Sequence, residues 1–427
     1  MASKIYIYTL SSALHKETLV SERTKKFLDG LQIEYTFCGS DFSTYGSADL
    51  SLIYVCTGGT ENQFLQLFVQ LQKQASHPFY LLTSGESNSL AASMEILSYL
   101  HIHHVKGEIL HGTSSYVSKR IAGLASVEAG RKQLKGMRIG IIGNPSDWLI
   151  SSNVDYAAIE ERLGVKFVHV DIHEVNISQA AKDNSQSTPC SANNVCDPTS
   201  KETELEEYRK KVSPLCSGDE AGVLRSLDGA LQLYYALKDV VNRYDLQAFT
   251  IRCFDLLTTY HNTGCLALAR LNEEGIVAGC EGDVPTLLSM IVSKVLTGVS
   301  GFQANPAQIN VESGEVLFAH CTIPFNMVER YELDTHFESS IGVGIRGYMK
   351  EGFVTVFKLS PSLDHCFIAE GQLMCSGNAE NLCRTQQHIR LNRPVDAQYF
   401  LKEPIGNHHV IIPGHIKELL EQFCCTE

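Results

Sequence analysis

Through residue 131 the chain alternates short apolar runs with longer amphipathic stretches, and this rhythm constrains the fold more than any other feature. Residues 4–9 read as a strand and 22–31 as a helix. Residues 50–56 are a second, fully apolar strand ending in Thr57-Gly58-Gly59-Thr60-Glu61, before a helix over 62–74. Residues 79–83 form another strand, followed after Asn88-Ser89 by a helix through Tyr99. Strands separated by whole helices predict a parallel sheet, because parallel neighbours need a long crossover connection.

A second unit of the same kind follows the helical stretch 115–133. A buried strand over 136–143 ends in Asn144-Pro145-Ser146-Asp147-Trp148, and a helix over 156–163 and a strand over 165–171 complete a βαβ unit. Residues 176–217 are polar and read as a long excursion with one short helix near 201–212. A helix over 224–244 and a strand over 248–252 return to the sheet. From about residue 299 the texture changes to short alternating strands with turn signals, among them 315–320, 352–359, 385–391 and 409–413. That pattern predicts an antiparallel sandwich or barrel. The expected fold class is therefore α/β, with doubly wound units at 1–131 and 132–298 and an antiparallel β-rich, barrel-like domain at 299–427; 427 residues are too many for one core.

The net charge of −13, with no basic stripe, excludes a nucleic-acid binder. No apolar run approaches the ~18 residues of a membrane span, and the start Met-Ala-Ser-Lys-Ile-Tyr lacks the basic and apolar regions of an export signal. The fourteen cysteines form no Cys-x-x-Cys pair and mostly sit in apolar runs, as expected of free thiols in the cytoplasm.

Three motifs have two readings each. Gly342-Val343-Gly344-Ile345-Arg346-Gly347 matches the dinucleotide fingerprint letter for letter, but it lies among strands with no helix to meet a pyrophosphate, so a tight strand corner explains it better. The Thr57 to Glu61 turn and the Pro145-Ser146-Asp147-Trp148 turn both follow parallel strands, where open sheets bind ligands and where helix caps also occur. Thr57, Glu61 and Trp148 are accordingly candidate substrate contacts, as is Arg252 at the end of its strand.

Two polar clusters stand far apart in the chain: Cys280-Glu281-Gly282-Asp283 and Gly406-Asn407-His408-His409-Val410. Glu281 falls between a strand end and a helix start, a usual place for a functional carboxylate in α/β sheets. His320 ends an apolar strand. A carboxylate beside neutral imidazoles suits a borderline cation such as Mn²⁺.

Together these words resemble the L-fucose isomerase and L-arabinose isomerase superfamily, whose members have two Rossmann-like domains and a β-rich C-terminal domain. Ala278-Gly279-Cys280-Glu281-Gly282-Asp283 looks like that family's metal-binding, proton-transferring glutamate word, and Asn407-His408 looks like its C-terminal ligand histidine. His320 is similar in place to a further ligand of the arabinose branch. The family's second carboxylate follows Leu-Thr-Gly and a Phe; here Leu296-Thr297-Gly298 and Phe302 put Asn305 in that slot. An asparagine offers a carbonyl oxygen but no titrating proton.

The resemblance implies a metal-dependent aldose–ketose isomerase acting through an enediol. Its catalytic groups would be Glu281 and Asn305, and a Mn²⁺-type ion would lie on Glu281, His408, His320 and Asn305. Asp283 and His409 would orient the ligands. The alternative is a homologue with altered metal-assisted sugar chemistry, or a sugar-binding or regulatory protein, because Asn305 replaces a carboxylate. Family members are trimers or hexamers, so a homo-oligomer is expected, with 57–61 and 88–89 near a subunit contact. The expected partner is a small-molecule sugar, with neither nucleic acid nor membrane.

Overall fold

A computed structural model describes residues 4–75, 78–177 and 219–425. The polar excursion, with its helix expected near 201–212, lies outside the described residues from 178 onward. The chain divides into two compact units, one of Met1–Gln133 with Glu418–Glu427 and one of Leu134–Lys417.

In the first unit β1 (Ile5–Leu10), β2 (Thr36–Gly39), β3 (Leu50–Val55), β4 (Phe79–Leu82) and β5 (Gly107–Leu110) form a parallel sheet in the order β2-β1-β3-β4-β5. Every residue of β3 is buried, as a strand covered on both faces requires. One face packs on α1 (Glu17–Leu31) and α4 (Ser114–Leu134) through Leu28, Val117 and Ile121. The other packs on α2 (Glu61–Gln74) and α3 (Ser89–Ile102) through Phe64, Phe68 and Ile96. The C-terminal helix Lys417–Cys425 lies against α4, where the Arg131 guanidinium donates to the Phe423 carbonyl at 2.7 Å.

The second unit holds a parallel sheet and a barrel. β6 (Arg138–Ile142), β7 (Lys166–Val170), β8 (Ala248–Ile251) and β9 (Val277–Gly279) pair in the order β7-β6-β8-β9. β10 (Phe302–Asn310), β11 (Glu315–His320), β14 (Gly352–Leu359), β15 (Cys366–Ser376), β16 (Thr385–Leu391) and β17 (His409–Pro413) close an antiparallel barrel in the order β10-β11-β16-β15-β14-β17. β12 (Arg330–Asp334) and β13 (Gly344–Tyr348) form a separate antiparallel pair, and the Gly342 to Gly347 stretch leads into β13 rather than into a helix.

α5 (Tyr156–Leu163) connects β6 to β7, and α7 (Phe254–Tyr260) and α8 (Cys265–Glu273) connect β8 to β9; two further helices tie sheet and barrel together. α6 (Glu220–Arg243) packs Leu227 and Leu231 into the barrel core and Leu237 and Val240 into the sheet core. α9 (Val284–Thr297) is buried at every position from Val284 to Ser293. A helix apolar all round belongs between layers, and the Ser289 hydroxyl accepts the backbone N–H of Leu359 in β14 at 2.9 Å. The start of α9 therefore faces the barrel wall. No described helix is long and apolar enough to cross a membrane.

Candidate metal centre

The centre begins with the turn from β9 into α9. Glu281 has φ 63° and Gly282 φ 71°, two consecutive left-handed residues, before Asp283 caps the helix by accepting Thr286 N–H at 2.9 Å. A Cβ on Gly282 would come within 2.8 Å of Pro145 Cα, so the chain there admits only glycine. Left-handed geometry is unfavourable for a glutamate, and its surroundings hold it. Gln303 accepts from Cys280 N–H at 2.9 Å and donates back to Cys280 C=O at 3.3 Å, while Glu281 C=O accepts Ser146 N–H at 3.2 Å. Backbone strain kept by so many contacts is characteristic of functional positions.

The elbow aims Glu281 Oε1 at two imidazoles. It lies 3.5 Å from His320 Nε2 and 3.4 Å from His408 Nε2. One ligand atom from each of the three residues lies within 4.8 Å of the others. Barrel closure makes this possible: β10 pairs with both β11 and β17, which brings the end of β11 and the residue before β17 to one place. His408 Nδ1 contacts Asp283 Oδ2 at 2.8 Å, and a carboxylate can only accept, so Nδ1 carries the proton and donates it. In the neutral ring that leaves the lone pair on Nε2, which is buried without a hydrogen-bond partner. His320 Nδ1 is occupied by the Thr322 hydroxyl at 3.0 Å. A carboxylate oxygen and two Nε2 atoms around one point fit a divalent cation with mixed oxygen and nitrogen preference.

Lys358, in β14, is fully buried and lies 3.4 Å from both oxygens of Asp283; its ammonium also donates to the Thr286 hydroxyl. Burial pushes the Asp283 carboxyl up, but Lys358 and His408 outweigh it and hold it below the usual carboxylate range. Burial likewise pushes Glu281 up, and His408 and His320 hold it well below. His408 is lowered by burial yet raised to about 9 by Glu281 and Asp283. A proton on His408 and a cation therefore compete for the same Nε2, and metal binding would release that proton.

No family model matches the chain. Over 316 residues it is 24% identical to the sulfoquinovose isomerase of Alkalicoccus urumqiensis, a match covering 71% of this chain and 67% of that protein. A stretch of 121 residues is 31% identical to the sulfoquinovose isomerase of Clostridium sp. (strain MSTE9), covering 28% of this chain and 27% of that one. The sulfoquinovose isomerase of Priestia aryabhattai is 23% identical over 242 residues, 55% of this chain and 49% of its own. The chain is thus similar to sugar isomerases, and it spans half or less of the last two.

Other residues singled out in the sequence have varied places. Asn305 is half-buried and lines one pocket with Glu281 and His320. Trp148 donates its indole N–H to Glu281 Oε2 at 2.8 Å. Arg252, expected to touch substrate, pairs with Asp147 at 2.8 Å and with Asp255 at 3.0 Å. His409, expected to orient a ligand, instead bonds the Tyr399 hydroxyl at 3.0 Å and sits among Phe318, Phe367 and Phe400. Its neighbour His408 faces the centre, and adjacent residues of an extended chain point opposite ways. Thr57 and Glu61 belong to the first unit, where the buried Thr57 hydroxyl accepts Ser12 N–H at 2.9 Å and Glu61 opens α2. Sequence reading missed Lys358, whose signal is a lone lysine inside the apolar run Val354 to Leu359. It also missed His336 and Glu338, which line the same pocket and carry no recognisable word.

Proposed function

We propose that the protein is a metal-dependent aldose–ketose isomerase of the L-fucose/L-arabinose isomerase kind, with two Rossmann-like domains preceding the barrel. The observation that carries the reading is the meeting of Glu281 Oε1 with the Nε2 atoms of His320 and His408. The similarity to sulfoquinovose isomerases supports the reaction class, and makes sulfoquinovose the first sugar to test.

Glu281, His320 and His408 would hold a Mn²⁺-type ion, with the Asn305 carbonyl oxygen as a further ligand. Such an ion, when bound, polarises the adjacent oxygens of an open-chain sugar. Glu281 is the principal group for moving the carbon-bound proton, with its Oε2 oriented by the Trp148 indole. Asp283 fixes the tautomer of His408, and Lys358 balances the charge of Asp283. The reading includes a cytoplasmic homo-oligomer, trimer or hexamer, with 57–61 and 88–89 at a subunit contact.

Metal analysis of the purified protein, followed by a sugar panel with product detection, tests the proposal. The expected result is bound divalent metal and turnover of one aldose, with Glu281→Gln losing both. Retained turnover in Glu281→Gln would end the assignment. The second reading, a sugar-binding or chemically altered homologue, is favoured by Asn305 alone; sugar binding without turnover by any variant would establish it. Light scattering that finds a monomer at micromolar concentration would remove the oligomer.

A further inference from the structure

Asn305 lines the centre but cannot exchange a proton, so an isomerase built here needs a second acid–base group from elsewhere. The same pocket is lined by His336 and Glu338, both from the connection between β12 and β13. We propose that Glu338 is the second proton-transfer group of this centre, working opposite Glu281 and replacing the carboxylate that Asn305 lacks. The inference rests on the isomerase reading above.

The connection is built to hold a side chain in place. At one end Arg384 Nε donates to Thr335 C=O at 2.8 Å. At the other, the Thr263 hydroxyl accepts Val343 N–H at 3.0 Å and lies 3.0 Å from Val343 C=O. Gly342 has φ 69°, and a Cβ there would come within 2.6 Å of the Thr263 side chain. Between these anchors His336 N–H donates to Ile341 C=O at 3.1 Å, Ser340 N–H donates to His336 C=O at 2.8 Å, and His336 Nδ1 meets the Ser339 hydroxyl at 3.0 Å. Ser340 adopts φ 55° to close the turn.

Glu338 itself contributes nothing visible to this scaffold. Among the described residues it makes no hydrogen bond and no ion pair, although it lines a pocket that already contains a carboxylate. Glu338 is an exposed residue, and the partial burial of its carboxyl together with the charge of Glu281 pushes that carboxyl up. Two carboxyl groups lining one pocket, one against the imidazoles and the other without a partner, are placed to divide the acid and base roles. The buried His336 is lowered to about 4 by burial and by His320 and Arg384, so it stands neutral beside them.

The proton balance closes without any co-reactant. Glu281 takes the proton from C2, the C–H pair becomes the C1=C2 bond, and O1 receives a proton from Glu338. The enediol then gives its O2 proton to the Glu338 carboxylate. The O–H pair forms the C2 carbonyl, and the π pair takes the proton from Glu281 at C1. Both groups end as they began.

The test compares wild type, Glu338→Gln and Glu338→Asp as purified metal-loaded proteins on the sugar that wild type turns over, measuring kcat, KM and bound metal together. The expected result for Glu338→Gln is a fall in kcat of about 10²–10⁴-fold, with metal content and KM unchanged within a few-fold. Glu338→Asp recovers part of kcat, and so does Asn305→Asp added to Glu338→Gln, by returning a carboxylate to the original slot. Normal kcat in Glu338→Gln overturns the inference while leaving the isomerase reading intact. A wild type that turns over no sugar overturns both.

Discussion

Trp148 donates its indole N–H to Oε2 of Glu281 at 2.8 Å, while Oε1 of the same carboxylate faces the two imidazoles. Trp148 is the only tryptophan in the chain. Its emission therefore reports directly on the candidate metal centre. Adding Mn²⁺ to chelator-treated protein is expected to quench most of that emission, because the ion is paramagnetic, and Mg²⁺ is expected to quench little. Glu281→Gln should remove the response. Unquenched fluorescence in wild type at saturating Mn²⁺ would place the ion elsewhere.

Asp283 joins His408 to Lys358 inside the protein, and all three are buried. Asp283→Asn preserves the shape but leaves the Lys358 ammonium without a counter-charge. Removing one partner of a buried pair costs about 3–5 kcal/mol, which urea unfolding will read. Adding Lys358→Met should restore more than half of that loss. Metal affinity should fall by about 10–100-fold in both variants, since His408 loses its charged orienting partner.

The left-handed backbone at Glu281 costs stability in exchange for position. With chelator present, Glu281→Gly should be more stable than Glu281→Ala by about 1 kcal/mol, because glycine tolerates positive φ and alanine does not. A Gly variant less stable than the Ala variant would show that the turn carries no strain.

His336 gives the fold a defined acid sensitivity. Burial first, then the charges of His320 and Arg384, lower its imidazole from 6.5 to about 4, with Glu281 opposing. A histidine depressed in the folded state contributes its stability above the unfolded value of 6.5, and this is lost as pH falls toward about 4. The loss amounts to about 3 kcal/mol. Urea midpoints measured from pH 7 to 4 should fall less steeply for His336→Asn than for wild type.

Much of the architecture was legible because local patterns report burial. The all-apolar run of β3 signals a strand covered on both faces, and the short, closely spaced strands after residue 299, with few helical periods between them, signal an antiparallel β-rich unit. The fingerprint-like glycines at 342–347 were separable from a nucleotide site because they run into and through a strand, with no helix opening after them. The short helices Phe254–Tyr260 and Cys265–Glu273 were not legible, since so few turns give no stable period.

Sequence alone determined that Glu281 stands between a strand and a helix and that His408 sits in a polar word near the C-terminus. Only the tertiary structure decided which groups meet. His408 and Asp283 are 125 residues apart, and they touch because β17 closes the barrel between β10 and β14 beside the start of α9. The same closure buries Lys358 against Asp283, and the anchored connection after β12 carries His336 and Glu338 to the pocket. Periodicity records which side of an element is buried, whereas the partner across a closed barrel depends on strand order and register, which no local pattern encodes.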